Sequence, residues 1–261
     1  LHSTSRRQRQ MCIRDRDKPN NNLAVEYCKA ILELGAPLEP VPLPRQGANH
    51  GDARTAGRYA SASALRALWR QEGPDALAPY VPAGALPRYQ AAWAAGDATD
   101  PQAVSLAVLS RLRARADMGG FAGVRGAAEG LEHRLDSCVR QAVTLEGLCD
   151  ALTTVRYPRA RMRRLAMDAT LGYGSPGAGP GWLTLPALPP YLHLLAARRE
   201  AMPLLAAASL PVSPSLARLA RENDACARTA RAQAAASDLA ALCRRTPQPM
   251  GTAYTVPFTK L

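Results

Sequence analysis

Four apolar stripes at helical spacing, crowded between Asp100 and Thr170, limit what this chain can fold into. Val104, Ala107, Val108 and Leu112 make the first, behind an Asp100-Pro101 helix start. Leu131, Leu135, Cys138, Val139 and Ala142 make the second, and Leu145, Leu148, Cys149 and Leu152 the third. Met162, Leu165, Ala166 and Ala169 complete the set, flanked by arginines. Apolar residues recurring at i, i+3 and i+4 give each segment one greasy side, and such helices are stable only when those sides cover one another. The pattern therefore predicts a helical domain from Asp75 to Thr170. Composition agrees: 47% of residues are hydrophobic but only 5% aromatic, which disfavours an all-β sandwich. No run approaches the roughly 18 apolar residues of a membrane span, so no membrane partner is expected.

Upstream, Ala24, Tyr27, Cys28, Ile31 and Leu32 predict a helix over 21–34 that ends at Gly35. Leu38 to Leu43 reads as a short strand, confined by its prolines to an edge or an irregular path. Gln46 to Tyr59 is a polar loop, and Ser63 is the expected N-cap of a helix through Trp69, ended by Gly73-Pro74. Downstream, Gly172 to Gly181 is a glycine- and proline-rich loop or linker. Alanine-rich helices are predicted over Pro190–Ala208 and Ser213–Cys243, then a short strand over Tyr254–Phe258.

The charge is lopsided. Formal net charge is +12; Leu1 to Arg16 carries five arginines against Asp15, a net +4, leaving +8 on the rest. Those first residues lack an apolar signal core. Met11-Cys12-Ile13-Arg14-Asp15-Arg16 resembles translated sequencing-adapter read-through, so residues 1–16 are expected to be a non-native tail; a basic RNA-binding arm is the competing reading. Either way, the remaining charge suits a polyanionic partner. The six cysteines include no Cys-x-x-Cys pair, and no histidine has metal-ligand spacing beside them. Cys28, Cys138 and Cys149 fall at apolar helical positions, as reduced thiols do in a cytoplasmic protein.

Short polar clusters carry the functional signal. Lys18-Pro19-Asn20-Asn21, Arg45, and Ser61-Ala62-Ser63-Ala64-Leu65-Arg66 each stand at a loop or helix start, where free N–H groups and a positive dipole end favour phosphate. Asn20 fits helix capping as well as ligand binding. Arg66, in a first turn, opposes the helix dipole unless an anion is held there. Arg156, Arg159, Arg161, Arg163 and Arg164, with Tyr157 and no acid among them, form a dense basic run that fits a phosphate backbone or a solvated face with a few ion pairs. His50 and Asp52 lie in the polar loop, and His133 and Glu129 read as structural.

These clusters, in this order, resemble the second half of the nucleotidyltransferase domain of the tRNA(Met) cytidine acetate ligase family. Glu129-Gly130-Leu131-Glu132-His133-Arg134-Leu135, Thr154-Val155-Arg156-Tyr157-Pro158-Arg159-Ala160-Arg161 and Pro190-Tyr191-Leu192-His193-Leu194-Leu195 continue the likeness, which covers residues 17 to about 215. The resemblance implies a mainly α chain: a partial Rossmann-like α/β nucleotidyltransferase remnant followed by a helical domain. The implied divisions are a tail over 1–16, the C-terminal part of the α/β domain over 17–73, a helical domain over 74–171, a Gly/Pro-rich loop over 172–182 and a C-terminal helical region over 183–261. The family's helical sequence near the Gly/Pro-rich loop is not matched.

By resemblance, Asn20 and Arg45 contact ATP, joined by Lys18, Ser61, Ser63 and Arg66, with Mg2+ accompanying the triphosphate. The arginine run implies tRNA contact. The implied reaction activates acetate as acetyl-adenylate and acetylates the wobble cytidine of elongator tRNA(Met). The family's catalytic histidines sit in a His-x-Gly-His motif, which these 261 residues do not contain; the catalytic residues are thus unassigned and the chain alone is expected to be inactive. A non-catalytic RNA-binding helical module, or a nucleotidyltransferase acting on another small acid, are the alternatives.

Overall fold

The computed structural model describes residues 19–43, 59–127 and 130–260. The chain divides into two units, Leu1–Ala91 and Ala92–Leu261.

In the first unit, α1 spans Pro19–Glu33 and α2 spans Ala62–Glu72; a 3-10 turn follows over Pro74–Leu77, and α3 (Leu86–Ala94) begins near the unit's end. The chain leaves α1 through Gly35 at φ 57°, with the Ala36 amide bonded to the Ile31 carbonyl at 3.1 Å. This Schellman-type closure needs a residue that tolerates the left-handed region. The strand predicted over Leu38–Leu43 does not form. Pro40 and Pro42 remove two amide donors from so short a segment, and Pro37 immediately precedes it, which leaves too little to pair. Cys28, expected in a core, is exposed, as are Leu23, Tyr27 and Leu32 on the same helix. Trp69 and Tyr89 meet edge-on with ring centroids 5.8 Å apart, a favourable aromatic geometry.

In the second unit the predicted stripes close a core. Here α4 spans Pro101–Met118, α5 Leu131–Gln141, α6 Leu145–Leu152 and α7 Arg159–Leu171. Val108, Leu112, Leu131, Leu135, Val139, Leu148, Leu152, Met162 and Ala166 are completely or almost completely buried in one cluster. Asp100 caps α4 as expected, its carboxylate accepting the Gln102 amide at 2.8 Å. Thr144 caps α6 through the Gly147 amide.

The Gly/Pro-rich segment after α7 is an anchored loop. Gly174 bridges to Val124, Tyr173 bridges to Leu183, and Trp182 packs against the four-helix core. A Cβ on Gly174 would stand 2.5 Å from that of Trp182, so only glycine permits this approach. The Tyr173 hydroxyl donates to the Ala232 carbonyl at 3.1 Å.

After the loop, the alanine-rich helix predicted over Pro190–Ala208 does not form, whereas most of Ser213–Cys243 is helical. Pro190–Ala208 holds two two-residue strands, β1 (Leu192–His193) and β2 (Ala196–Ala197), then a 3-10 helix over Arg199–Ala207 with Pro203 inside it. Proline cannot serve an α-helical ladder, and alanine content misled the expectation. β1 pairs in parallel with β3 (Val212–Ser213), and β2 in parallel with β4 (Thr259–Lys260). Ser213–Cys243 forms two helices, α8 (Leu216–Leu219) and α9 (Asp224–Leu242). Asn223 restarts the chain between them by capping the Cys226 amide. The final strand lies at Thr259–Lys260, beyond the predicted Tyr254–Phe258.

A seam joins the two ends of this unit. The Asp100 amide bonds the Cys243 carbonyl at 2.8 Å, Arg245 bonds Ala98 at 2.8 Å and Thr246 bonds Gly96 at 3.1 Å. Arg244 pairs with Asp97 at 2.7 Å, and the Arg245 guanidinium stacks on Trp93.

Candidate functional site

Of the expected nucleotide residues, the start of α2 is the best defined. Ser61, not Ser63, is the N-cap: its buried hydroxyl accepts the Ala64 amide at 3.1 Å and shares a 2.9 Å hydrogen bond with the Ser63 hydroxyl. Both serines suit a cap; the helix simply begins two residues earlier than expected. No acidic residue lies in the first turn, and Arg66 is exposed. A helix start with a cation beside it and no acid in its first turn has the electrostatics that favour an anion. Asn20 lies inside the first turn of α1 rather than just before it. Lys18, Arg45, His50, Asp52 and Glu129 lie outside the described residues.

The arginine run separates into different environments. Arg159 spans from α7 to α6, paired with both Glu146 and Asp150. Arg161 lies 4.9 Å from the Tyr157 ring centroid, and Arg156 lies 5.6 Å from it, both within cation–π range. Arg163 and Arg164 are exposed. The sequence missed this split because Glu146 and Asp150 belong to the preceding helix, where no local spacing reveals them. Beneath the run, burial pushes the Cys149 thiol up, reinforced by Glu146; it is packing rather than a nucleophile.

The Pro190–Leu195 motif is structural. The Tyr191 hydroxyl donates to Gln233 Oε1 at 3.1 Å, Gln233 Nε2 lies 3.0 Å from His193 Nδ1, and His193 Nε2 lies 3.3 Å from the Pro214 carbonyl. His133 is well exposed, 3.8 Å from Glu132.

One feature escaped sequence reasoning. A cleft of about 770 Å3 opens between the C-terminal half of α4 and the Gly/Pro-rich loop, with Arg111, Arg115 and Trp182 among its lining. The available signal was the i, i+4 spacing of Arg111 and Arg115, on one side of α4. Among the described residues, no group of three or more His, Cys, Asp or Glu is arranged for a metal, and no helix is long and apolar enough to cross a membrane.

Comparison with known proteins bears on these sites. A family model described as HIGH Nucleotidyl Transferase matches residues 2–252. The tRNA(Met) cytidine acetate ligase of Latilactobacillus sakei is 33% identical over 158 residues, 59% of this chain and 39% of that protein. The Bacillus velezensis protein of the same name is 28% identical over 203 residues, 74% of this chain and 47% of that protein. The chain thus spans less than half the length of these curated relatives. Among solved structures, Thermotoga maritima TmcAL in its apo form superposes with TM-score 0.75 at 19% identity, over 94% of this chain and 61% of that one. TmcAL bound with alpha-thio ATP gives 0.74, also at 19% identity, over 94% and 60%. The mainly helical architecture with few strands therefore has the TmcAL fold.

Proposed function

Because this chain belongs to the HIGH nucleotidyl transferase family, we propose that it forms part of an ATP-dependent ligase that acetylates the wobble cytidine of elongator tRNA(Met). What carries the reading is the order of the polar clusters, from Lys18-Pro19-Asn20 through Arg45 and Ser61–Arg66 to the arginine run, in a chain whose curated relatives bear that name. A fold neighbour solved with an ATP analogue supports ATP as the nucleotide.

In this reaction an acetate oxygen attacks the α-phosphorus of ATP. The α–β phosphoanhydride bond breaks, and pyrophosphate leaves with the bond electrons. The cytidine exocyclic amine then attacks the acetyl carbonyl; AMP departs, and the amine loses a proton. Asn20 and Arg45 would hold the nucleotide, with Lys18, Ser63 and Arg66 facing its phosphates at the Ser61-capped start of α2. Preorganised N–H groups and cations oppose the charge that builds on the phosphates in the transition state. Mg2+ would enter with the triphosphate. The exposed Arg163 and Arg164 would meet the tRNA backbone, with Arg156 and Arg161 beside them and Arg159 bracing α7. The free cysteines suit a reducing, cytoplasmic setting.

The test joins this chain to the part of the Latilactobacillus relative that it does not match and follows acetylation of tRNA(Met). The joined protein should acetylate, and the 261-residue chain alone should not. Arg45→Ala or Asn20→Ala should then weaken ATP use by about 1.5–3 kcal/mol, the scale of a hydrogen bond to a charged group. Acetyl transfer by the chain alone, or indifference to Arg45→Ala, would overturn the residue assignments.

A further inference from the structure

We propose that the cleft between α4 and the Gly/Pro-rich loop binds one nucleotide unit of single-stranded RNA. Its volume of about 770 Å3 falls within the range of small-molecule sites. Arg111 and Arg115 both line it, one helical turn apart, and no acidic residue does. Neither arginine is ion-paired among the described residues. Two unneutralised like charges on neighbouring turns repel each other, and an anion between them removes that cost.

Arg115 is also fixed in place. Its guanidinium stacks 3.9 Å from the Trp182 ring centroid and donates to the Gly181 carbonyl at 3.0 Å. Burial alone pulls its pKa down, the mark of a cation that has given up water without gaining a counterion. The indole–guanidinium pair gives the cleft a flat, polarised wall, the surface on which nucleobases stack. Gly177 and Gly179 of the same loop also line the cleft, and a Cβ on either would meet nothing within 4 Å. A base against the wall and a phosphate at Arg111 thus satisfy both halves of the site. A free mononucleotide offers the same chemistry; the choice of RNA rests on the tRNA reading above.

The experiment measures anisotropy of a labelled single-stranded RNA pentamer with the 261-residue chain, with AMP as competitor. Ala114 is exposed and lines the cleft, so Ala114→Glu adds an opposing carboxylate without touching the core. This variant should weaken pentamer binding at least about tenfold, within the 1–3 kcal/mol range of a stacked base. Arg111→Gln should flatten the log–log salt slope by about 0.7. Both should melt like the parent chain. Wild-type binding by both variants at unchanged melting temperature would overturn the proposal, and AMP competing on equal terms would overturn RNA as the source. Acetylation by the joined protein separates the two readings: a null pentamer result with intact acetylation sinks the cleft alone.

Discussion

Helix α1 and the α4–α7 bundle carry the same kind of apolar stripe and treat it in opposite ways. In the bundle, Leu112, Leu135, Leu148 and Leu152 are wholly buried; on α1, Leu32 is 82% exposed and Tyr27 62% exposed. Periodicity reveals which side of a helix is apolar, but the depth of burial depends on what the rest of the fold brings against it. In the bundle the covering helices all lie within one stretch from Pro101 to Leu171, so each stripe has its partners nearby in the sequence. For α1 the described residues supply no such cover, and its sequence is informative through Asn20 instead.

The largest expected effect tests that contrast directly. Leu135→Ala should cost about 2–5 kcal/mol in denaturant unfolding, the range for a cavity in a closed core. Leu32→Ala should stay within about 0.5 kcal/mol, as exposed substitutions do. A comparable loss at Leu32 would mean that its stripe is covered in solution, and the contrast would collapse.

The arginine run sharpens the same distinction between inward and outward residues. Arg163→Gln with Arg164→Gln should lower the log–log salt slope of tRNA binding by about 0.7–0.9 for each phosphate left unneutralised, with little change in melting. Arg159→Gln should do the reverse, leaving the slope alone and costing up to about 1 kcal/mol, since its partners are exposed acids on α6. Equal slope changes from all three would make the run a single RNA-facing surface.

The smallest effect concerns pH. Arg140 hydrogen-bonds Asp136 on α5 at 2.9 Å and holds its carboxyl below the ordinary range; Arg140 also reaches the Ala116 carbonyl on α4. A carboxylate with a depressed folded pKa contributes stability that is present above its unfolded pKa and is lost as pH falls through the folded value. The melting temperature should therefore sag below about pH 4, and Asp136→Asn should remove part of that sag. An identical acid limb in the variant would show that the pair contributes nothing measurable.

The helices of the bundle were legible because stripe, cap and terminator agreed: Asp100 with Pro101 opened α4, and Gly172 closed α7. Where such signals conflicted, composition misled. Pro190–Ala208 is rich in alanine and leucine, yet its strands pair with Val212–Ser213 and Thr259–Lys260, partners too distant for any local window. Leu38–Leu43 looked extended, but its prolines had already removed the donors a strand needs. The candidate site was legible mainly through resemblance. Of its parts, the Ser61 cap lay within two residues of its expected position, whereas the cleft required α4 and a loop over sixty residues away to meet.

The seam between residues 96–100 and 243–246 makes the second unit a closed ring, tied across 147 positions by the Asp97–Arg244 pair. The entropy of closing a ring grows only with the logarithm of its circumference: each doubling adds about 0.6 kcal/mol. Length added anywhere along such a ring is therefore nearly free, provided the stitches hold. A glycine-rich detour such as that between Leu171 and Trp182 can grow outward and acquire a pocket of its own while the unit remains tied at the same point.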